Sequence, residues 1–587
     1  FELKQNLDFI TKGLSARGMF NVNRYSLLEM RNAYKPFFYA VTNTATYEYA
    51  LTPLNPNGGT DYLEVLSSNK TITSSMYFEG ALQYNREFAE KHSVSALMVY
   101  TLRESINGNT TSVQMSLPHR NLGLAGRLTY GYANRYFFEA NFGYNGSERF
   151  AENERFGFFP SVGGGWIVSN ESFMKSLNKV ISKLKLKATY GLVGNDAIGN
   201  DADRFFYLSN VNMNDGGKGF TFGEEYSYGR SGISISRYSD PKITWELSRK
   251  TNLAFELNLW NSLEIQMDYF TENRSKILQT RSDIPTTMGL QATPSSNIGI
   301  ANGHGIDLSV DYSKSFSKDF WTVIRGNFTY ASSKYEVYDE PDYANTPWRL
   351  HRGQKISQQY GYIAERLFLD DNEVQNSPPQ LFGEYGAGDI KYKDINGDMQ
   401  INENDQVPIG LPTTPEIIYG FGFSVGYKNI DFSCFFQGSA RSSFWINAEQ
   451  SAPFINRSND NVDQLLRGFT THRALLQYWA DDHWSEDNRN IYALWPRFSE
   501  TVNRNNLQRS TWFMRDGTFL RLKTMEIGYT LPRRWTDAIN MQNIRLYLSG
   551  NNLLIFSKFK MWDPEMAGNG LAYPIQRVFN VGVNVEF

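Results

Sequence analysis

Residues 394–405 place oxygen-bearing side chains at the spacing of a calcium-binding loop. Positions one, three, five, seven and twelve of such a loop are taken by Asp394, Asn396, Asp398, Gln400 and Asp405. Ca²⁺ requires a ring of oxygen ligands, and Gln400 would offer its main-chain carbonyl. The pattern departs from the usual one at Met399, where a turn glycine is expected, and at Asp405, which is shorter than the usual Glu. Two interpretations stay open: a structural calcium that staples the loop, or a polar turn without metal.

Outside this loop the sequence offers one weaker metal candidate, at Asp481, Asp482, His483, Glu486 and Asp487, for which a solvated acidic turn is the favoured interpretation. The six histidines are scattered, and no two stand at the helical spacing of a metal site. The glycine-rich stretch 216–219 lacks the strand and helix context of a phosphate-binding loop. The single cysteine, Cys434, excludes an internal disulfide and a cysteine-based zinc site. A balance of 58 basic and 61 acidic residues gives no reason to expect nucleic acid as a partner. We therefore expect no enzymatic activity and no cofactor beyond that calcium.

The elements that position the loop are strands, and residues 253–269 show their pattern. Apolar residues take every second position in both halves of this stretch, at Leu253, Phe255, Leu257 and Leu259 and then at Leu263, Ile265, Met267 and Tyr269. A period of two is strand spacing, because successive side chains point to opposite faces of a sheet. The tight link at residues 260–262 predicts a β-hairpin.

Composition decides what covers the apolar face of these strands. Aromatic residues make up 15% of the chain, yet the mean hydropathy is only −0.47. The sequence has no apolar run of about 18 residues, the length that a spanning helix needs. A transmembrane barrel accounts for both facts, because only alternate residues of its strands face lipid. We therefore predict an all-β fold, a large antiparallel transmembrane β-barrel whose apolar face lies in outer-membrane lipid.

The pattern predicts about eighteen strands, more than an open sheet usually holds. Short connections alternate with long ones along the chain, as in outer-membrane barrels with short periplasmic turns and long external loops. We accordingly assign residues 1–587 to one barrel and residues 333–415 and 438–518 to long extracellular loops within it. Three local features are also predicted: a strand at residues 37–49, a bend or bulge at Gly163, Gly164 and Gly165, and a phase shift at residues 521–523 caused by a bulge or by a strand leaving the membrane.

Several segments resemble the SusC/RagA-like branch of TonB-dependent outer-membrane transporters. They include FGFFPSVGGGWIVSNESF at residues 156–173, KLKATYGLVGN at 185–195, GDIKYKDINGD at 388–398, RDGTFLRLKTMEIGYTLP at 515–532 and LSGNNLLIF at 548–556. These segments follow the family order over most of the chain, which makes the signal more specific than a single short motif.

The resemblance implies a barrel of about twenty-two strands with an N-terminal plug. It also implies nutrient import energised by TonB, and a SusD-like surface lipoprotein as a partner. The plug, the TonB-contact segment and about four strands of that architecture have no counterpart in this sequence. We therefore expect Phe1 to lie within a longer exported precursor that carries the plug upstream.

Aromatic residues of the long loop are candidates for substrate contact, because aromatic faces stack on sugar rings. The candidates are Trp484, Tyr492, Trp495 and Trp512, and the alternative is that they pack the loop. The chain ends on Phe587 after a last alternating stretch, which resembles the signal read by the barrel insertion machinery. The alternative is an ordinary closing strand.

These patterns predict an importer of nutrient oligomers, glycans or peptides, in the outer membrane of a Gram-negative bacterium. The rival hypotheses are a passive porin-type channel and a soluble glycan-binding β protein. A porin would lack a plug, and a soluble protein would need no detergent.

Overall fold

The alternating segments form strands that pair with one another in chain order. The computed structural model describes residues 1–42, 50–110, 113–199, 204–455 and 475–587. In it, 17 strands form one antiparallel sheet, which we call the main sheet, and the other strands form five two-stranded hairpins or ribbons.

The strands have the following bounds. The first ten are β1 Glu2–Asn6, β2 Leu14–Ala33, β3 Tyr39–Thr42, β4 Ala50–Pro53, β5 Glu64–Phe88, β6 His92–Asn107, β7 His119–Tyr132, β8 Tyr136–Ser147, β9 Phe156–Ile167 and β10 Ile181–Asn195. The next ten are β11 Asn210–Phe222, β12 Tyr228–Arg237, β13 Glu246–Leu259, β14 Leu263–Thr280, β15 Ser295–Ser315, β16 Phe320–Val337, β17 Gln359–Gly361, β18 Ala364–Leu367, β19 Ile390–Tyr392 and β20 Val407–Ile409. The last seven are β21 Ile417–Tyr427, β22 Ile430–Ala440, β23 Ser443–Trp445, β24 Met514–Asp516, β25 Phe519–Thr530, β26 Asn543–Ser557 and β27 Val578–Glu586.

Helices are short and lie in the connections. The α-helices are α1 Val113–Ser116, α2 Asp371–Gln375, α3 Ala448–Ser451, α4 Gln477–Asp481 and α5 Arg533–Thr536. Short 3₁₀-helices occur at Glu152–Glu154, Val168–Asn170, Ser172–Leu177, Thr286–Met288, Pro347–Arg349, Glu403–Asp405, Asp537–Ile539 and Pro564–Met566. None of the helices in the described part of the chain has the length and apolar character that a bilayer crossing needs.

The predicted hairpin at residues 253–269 is formed by β13 and β14. Its register pairs Phe255 with Met267 and Leu257 with Ile265, so apolar residues of both strands share one face. Trp260 and Asn261 in the connecting turn have positive φ angles of 52° and 51°, which reverse the chain within three residues. The main sheet continues from β1 through β2, β5 to β10, β13 to β16, β21, β22, β25 and β26 to β27.

The two faces of the main sheet differ in polarity. One face carries exposed apolar and aromatic residues on successive strands, such as Leu253 on β13, which is 53% exposed, and Phe423 on β21. The opposite face carries ion pairs, such as the one between Lys183 and Glu256, whose Nζ and Oε2 atoms lie 2.7 Å apart. Burying the exposed apolar face in hydrocarbon is the arrangement that the alternation predicts.

The connections between neighbouring strands of the main sheet alternate in length. One edge, which we call the trim rim, holds residues 7–13, 89–91, 133–135, 168–180, 260–262, 316–319, 428–429 and 531–542. The other edge, the long-loop rim, holds residues 34–63, 108–118, 148–155, 196–245, 281–294, 338–416, 441–518 and 558–577. Antiparallel neighbours put alternate connections at opposite edges, so the predicted rhythm of short and long links is present.

Some local predictions are correct and others are wrong. The phase shift at residues 521–523 is confirmed as an irregularity between Leu522 and Thr524 where β25 pairs with β26. The predicted bulge at Gly163 to Gly165 is wrong, because these residues pair in unbroken register with both β8 and β10. The prediction that residues 37–49 form a strand of the barrel is wrong for Tyr39–Thr42, which pairs with Ala50–Pro53 outside the main sheet. Residues 43–49 lie outside the described part of the chain.

The position of Phe421 gives a test of the lipid-facing side. Phe421 stacks on Phe436 of the next strand, with ring centroids 5.2 Å apart, and both lie on the apolar face. We expect Phe421→Arg to destabilise the folded protein in a bilayer by about 2–4 kcal/mol, because a charge at the lipid-facing midplane costs this much. Equilibrium unfolding in lipid vesicles measures the change. Ser424→Arg, on the opposite face of the same strand, is the control and should be close to neutral, and equal losses for both variants would contradict the assignment of faces.

Candidate functional site

Three long connections fold together into one body, which we call the loop lobe: residues 338–416, 441–455 with 475–518, and 558–577. Its core contains buried residues from all three, among them Ile390, Trp479 and Phe559. The rings of Trp479 and Trp495 lie 4.5 Å apart between centroids, and Trp495 packs in turn on Phe513 at 5.3 Å. Aromatic side chains bury large areas, so this cluster holds the three connections to one another.

The candidate stacking aromatics differ in how far they are buried. Trp484 and Trp495 are 4% and 6% exposed, so protein covers their rings. Trp512 packs against the same core, and its indole N–H donates to the Leu494 carbonyl at 3.2 Å. Tyr492 differs, since 67% of it is exposed. The geometry therefore supports the packing interpretation for Trp484 and Trp495 and leaves the ring of Tyr492 accessible to a ligand.

A glycine permits the close packing of Trp484. Gly388 has a φ angle of +79°, and a Cβ atom added there would lie 2.3 Å from the Trp484 ring. A side chain at this position would clash with the indole and strain the backbone. Gly388 is the first residue of the segment 388–398 that carries the family resemblance, and the packing of the lobe requires glycine there.

The calcium-like loop is organised by hydrogen bonds from its own main chain. Asp394 accepts from the N–H groups of Gly397 and Met399 at 2.7 and 2.9 Å. Asp405, which is fully buried, accepts from the N–H groups of Ile395 and Asn402 at 2.8 and 2.9 Å. The two carboxylates therefore stabilise the turn of the loop through main-chain hydrogen bonds.

The backbone at the sixth loop position takes the conformation expected of glycine. Met399 has a φ angle of 63°, so the turn forms although the residue is not glycine. Within the described ranges, however, no three His, Cys, Asp or Glu side chains are grouped closely enough to hold a metal ion. Calcium binding by Asp394, Asn396, Asp398, Gln400 and Asp405 stays a prediction.

A buried polar network, which sequence reasoning missed, joins two of the long connections. The fully buried Asp389 accepts from Arg497 Nε at 2.9 Å and from Asn506 Nδ2 at 2.8 Å. Gln380 donates to Asn505 Oδ1 at 2.7 Å and accepts from the Tyr392 N–H at 2.7 Å. Three of these four bonds join residues more than a hundred positions apart in the sequence, and the bond between Gln380 and Tyr392 lies within one connection. Buried polar groups need such partners.

The third connection is tied to the main sheet by a buried arginine. Arg521 on β25 is 3% exposed, and its Nη2 lies 2.6 Å from Asp563 Oδ1 and 2.7 Å from Glu565 Oε2. Both carboxylates belong to residues 558–577. Since an unpaired buried charge is costly, Arg521 holds this connection against the wall.

The inner, polar face of the main sheet has a recess between β7 and β13. It measures about 690 Å³ and is lined by Gly163, Gly164 and Gly165 together with Lys185 and Lys187. Glu256 lies beside it, paired with Lys183 and with Lys187 at 2.9 Å. Gly163 and Gly165 share the polar face with Thr189 and Lys187, so their missing side chains leave room in the wall, whereas Gly164 pairs with the apolar-face residue Phe138.

Phe587 follows β27 and is exposed, as are most residues of that strand. Its role in assembly stays a prediction.

The calcium prediction can be tested by titration. We expect Ca²⁺ to raise the thermal unfolding temperature of the intact protein and to give a saturable calorimetric signal, because the loop spacing supplies oxygen ligands. Asp394→Ala should lose both effects, whereas Asp487→Ala, in another acidic stretch of the lobe, should keep them. Absence of binding by the wild type, together with equal stability of both variants, would leave the polar-turn interpretation.

A second test concerns Glu373, which joins α2 to β18 and β19. Although burial opposes the charged form, the Leu369 N–H, Lys391 and Arg366 lower the pKa of Glu373 from 4.5 to about 2. A lowered pKa stabilises the folded state above pH 4.5, and this contribution is lost as the pH falls towards 2. We expect Glu373→Gln to lower lobe stability by about 2 kcal/mol at pH 7. The difference from wild type should shrink between pH 4.5 and 2 in thermal unfolding followed by tryptophan fluorescence. Glu486→Gln, at an exposed ion pair with Arg489, should have little effect at any pH.

Comparison with known proteins relates this arrangement to outer-membrane receptors. No protein-family model matches the chain. The TonB-dependent receptor P3 of Formosa agariphila is 26% identical over 585 residues, which cover 90% of this chain and 53% of that protein. The TonB-dependent receptor SusC of Bacteroides thetaiotaomicron is 25% identical over 474 residues, covering 79% of this chain and 43% of SusC. The chain thus spans about half the length of the curated relatives it matches.

Solved structures show the same fold. The structure of the RagAB peptide transporter superposes with a TM-score of 0.68 at 20% identity, covering 98% of this chain and 60% of that one. The open-open state of the RagAB peptide importer gives a TM-score of 0.67 at 21% identity, with 98% and 59% coverage. The main sheet is therefore the wall of a large β-barrel of this type. The resemblance predicted from the sequence is confirmed, and the chain is a relative of the SusC-like TonB-dependent receptors of the Gram-negative outer membrane.

Proposed function

We propose that the chain forms the wall and outer loops of an importer that takes nutrient oligomers, glycans or peptides, into the periplasm with energy passed on by TonB. The observation that carries the proposal is the similarity to proteins named TonB-dependent receptors along 90% of the chain. The two faces of the main sheet agree with it, since an apolar outer face suits lipid and an ion-paired inner face suits an aqueous lumen.

The partners follow from the same relationship. We propose that a SusD-like lipoprotein covers the long-loop rim, that this rim is extracellular, and that the TonB complex acts through a plug encoded upstream. Tyr492 is the exposed member of the candidate aromatics. We propose that its ring contacts substrate, while Trp484, Trp495 and Trp512 hold the lobe that carries it. Outer-membrane lipid and the barrel insertion machinery complete the expected partners.

Two observations favour this function over its rivals. The soluble β protein is disfavoured because rows of large apolar residues stand exposed on strand after strand of the main sheet. The passive channel is disfavoured because the matched curated relatives are named TonB-dependent receptors. One solved neighbour is named a peptide transporter, but at 20% identity it supports the fold and not the substrate.

Uptake measurements in the native host test the proposal. We expect deletion of the gene to abolish uptake of one class of fluorescently labelled oligomer, and a strain with inactive TonB to show the same loss, because active import needs that energy source. Re-expression of the wild-type gene should restore uptake, and Tyr492→Ala should restore it only in part. Uptake that persists without TonB but disappears with the gene would instead identify a passive channel.

A further inference from the structure

Four exposed cations at the trim rim each lie over an aromatic ring. Arg86 lies 4.7 Å from the ring centroid of Phe88, and Lys314 lies 5.4 Å from that of Phe316. Lys428 lies 5.3 Å from Tyr427, and Arg534 lies 5.7 Å from Trp535. The four pairs adjoin four different connections of this rim, at residues 89–91, 316–319, 428–429 and 531–542. The motif is thus repeated around the edge of the wall.

Arg86 and Lys314 stand on the face that lipid covers, and so does Tyr427, the ring beside Lys428. Arg86 shares the outward positions of β5 with the exposed Leu82, four residues earlier. Lys314 follows Tyr312 by two residues on β15, and Tyr312 pairs with the apolar Ile324. Tyr427 continues the row of Phe421 and Phe423 on β21, and Lys428 lies in the turn that follows this strand. Strand alternation therefore directs Arg86, Lys314 and Tyr427 towards the membrane and not into the lumen.

An aromatic girdle marks where the membrane surface meets this rim. Tyr132, Tyr136 and Trp166 form a row on neighbouring strands, with ring centroids 6.5 and 6.4 Å apart. Their register places them level with Phe88 through the pairs of His92 with Phe88 and with Tyr132. Aromatic side chains concentrate at the headgroup level of a bilayer, so Arg86, beside Phe88, lies at that level, and the other three cations adjoin connections of the same rim.

The two rims carry opposite charge. The connections of the trim rim contain nine basic and five acidic residues, a net charge of +4. Those of the long-loop rim contain twenty-seven basic and thirty-eight acidic residues, a net charge of −11. A positive edge attracts anionic headgroups, whereas a negative edge repels them.

The charges of the four cations are available to a ligand. Their side chains are exposed, and in the part of the chain that the structure describes none of them pairs with a carboxylate. Long basic side chains at a membrane surface extend their charge towards phosphate while their methylene groups stay on apolar surface. An aromatic ring beneath the charge adds attraction and limits its position.

We propose that the trim rim is a docking surface for anionic phospholipid. The phosphate groups of the lipid contact Arg86, Lys314, Lys428 and Arg534, and the acyl chains cover the apolar rows that begin beside them. The surface selects lipid by headgroup charge, and it anchors the wall at a fixed depth in the leaflet that borders this rim.

Lipid retention by the full-length protein tests the proposal. The protein is reconstituted in an equimolar mixture of phosphatidylglycerol and phosphatidylcholine, re-extracted in mild detergent, and the retained lipids are counted by native mass spectrometry. We expect wild type to retain phosphatidylglycerol preferentially. In the fourfold variant the ratio of retained phosphatidylglycerol to phosphatidylcholine should fall at least about tenfold, since each cation near an anionic surface contributes about fivefold to lipid binding. This variant carries Arg86→Gln, Lys314→Gln, Lys428→Gln and Arg534→Gln.

A matched variant separates local docking from total charge. Replacing four cations of the other rim and its loops, Arg120, Arg352, Arg489 and Lys558, by glutamine removes the same charge and should preserve the preference. If the fourfold trim-rim variant does not assemble, the pair Lys314→Gln and Lys428→Gln, on neighbouring strands, should still lose several-fold. Equal retention of both lipids by wild type, loss of preference in both fourfold variants, or displacement of lipid by millimolar inorganic phosphate would overturn the proposal.

Discussion

The pairing of main-chain hydrogen bonds in a medium without water is the constraint on which the rest of the structure depends. Hydrocarbon offers no partner to an amide or a carbonyl, so each strand within the bilayer must be satisfied by its neighbours. In the main sheet of 17 strands, the strands from β2 to β26 pair on both sides in chain order, while β1 and β27 each pair with one neighbour. Because pairing fixes the register, it also fixes which side chains meet lipid. A slip of one residue at β13 would exchange Leu257 and Glu256 between hydrocarbon and lumen.

The same constraint explains which parts of the fold could be predicted from the sequence. The hairpin of β13 and β14 was predictable because a period of two and a tight turn leave one register that keeps Phe255 and Met267 on one face. The irregularity beside Leu522 was predictable for the same reason, since the polar face changes phase there. The prediction of a bulge at Gly163 to Gly165 was wrong because consecutive glycines are compatible both with a bulge and with a regular strand that lines an open recess. Only neighbouring residues on β8 and β10 decide between the two.

The loop lobe was largely unpredictable, because its contacts have no period. Asp389 meets Arg497 and Asn506 across more than a hundred residues, and nothing in the local pattern of either segment indicates that pairing. The burial of Trp484 and Trp495 likewise depends on residues of other connections. The spacing of residues 394–405 predicted either a calcium site or a polar turn, and the calcium site stays a prediction. Its carboxylates bond to main-chain N–H groups, and those bonds could not be inferred from spacing alone.

The shared core of the lobe limits how the outer surface can change. Here Ile390, Trp479 and Phe559 come from three connections and fill one interior, and Arg521 fastens one of those connections to the wall. A substitution that changes the volume of this interior therefore alters packing in all three connections, so the outer surface of the lobe changes as one unit.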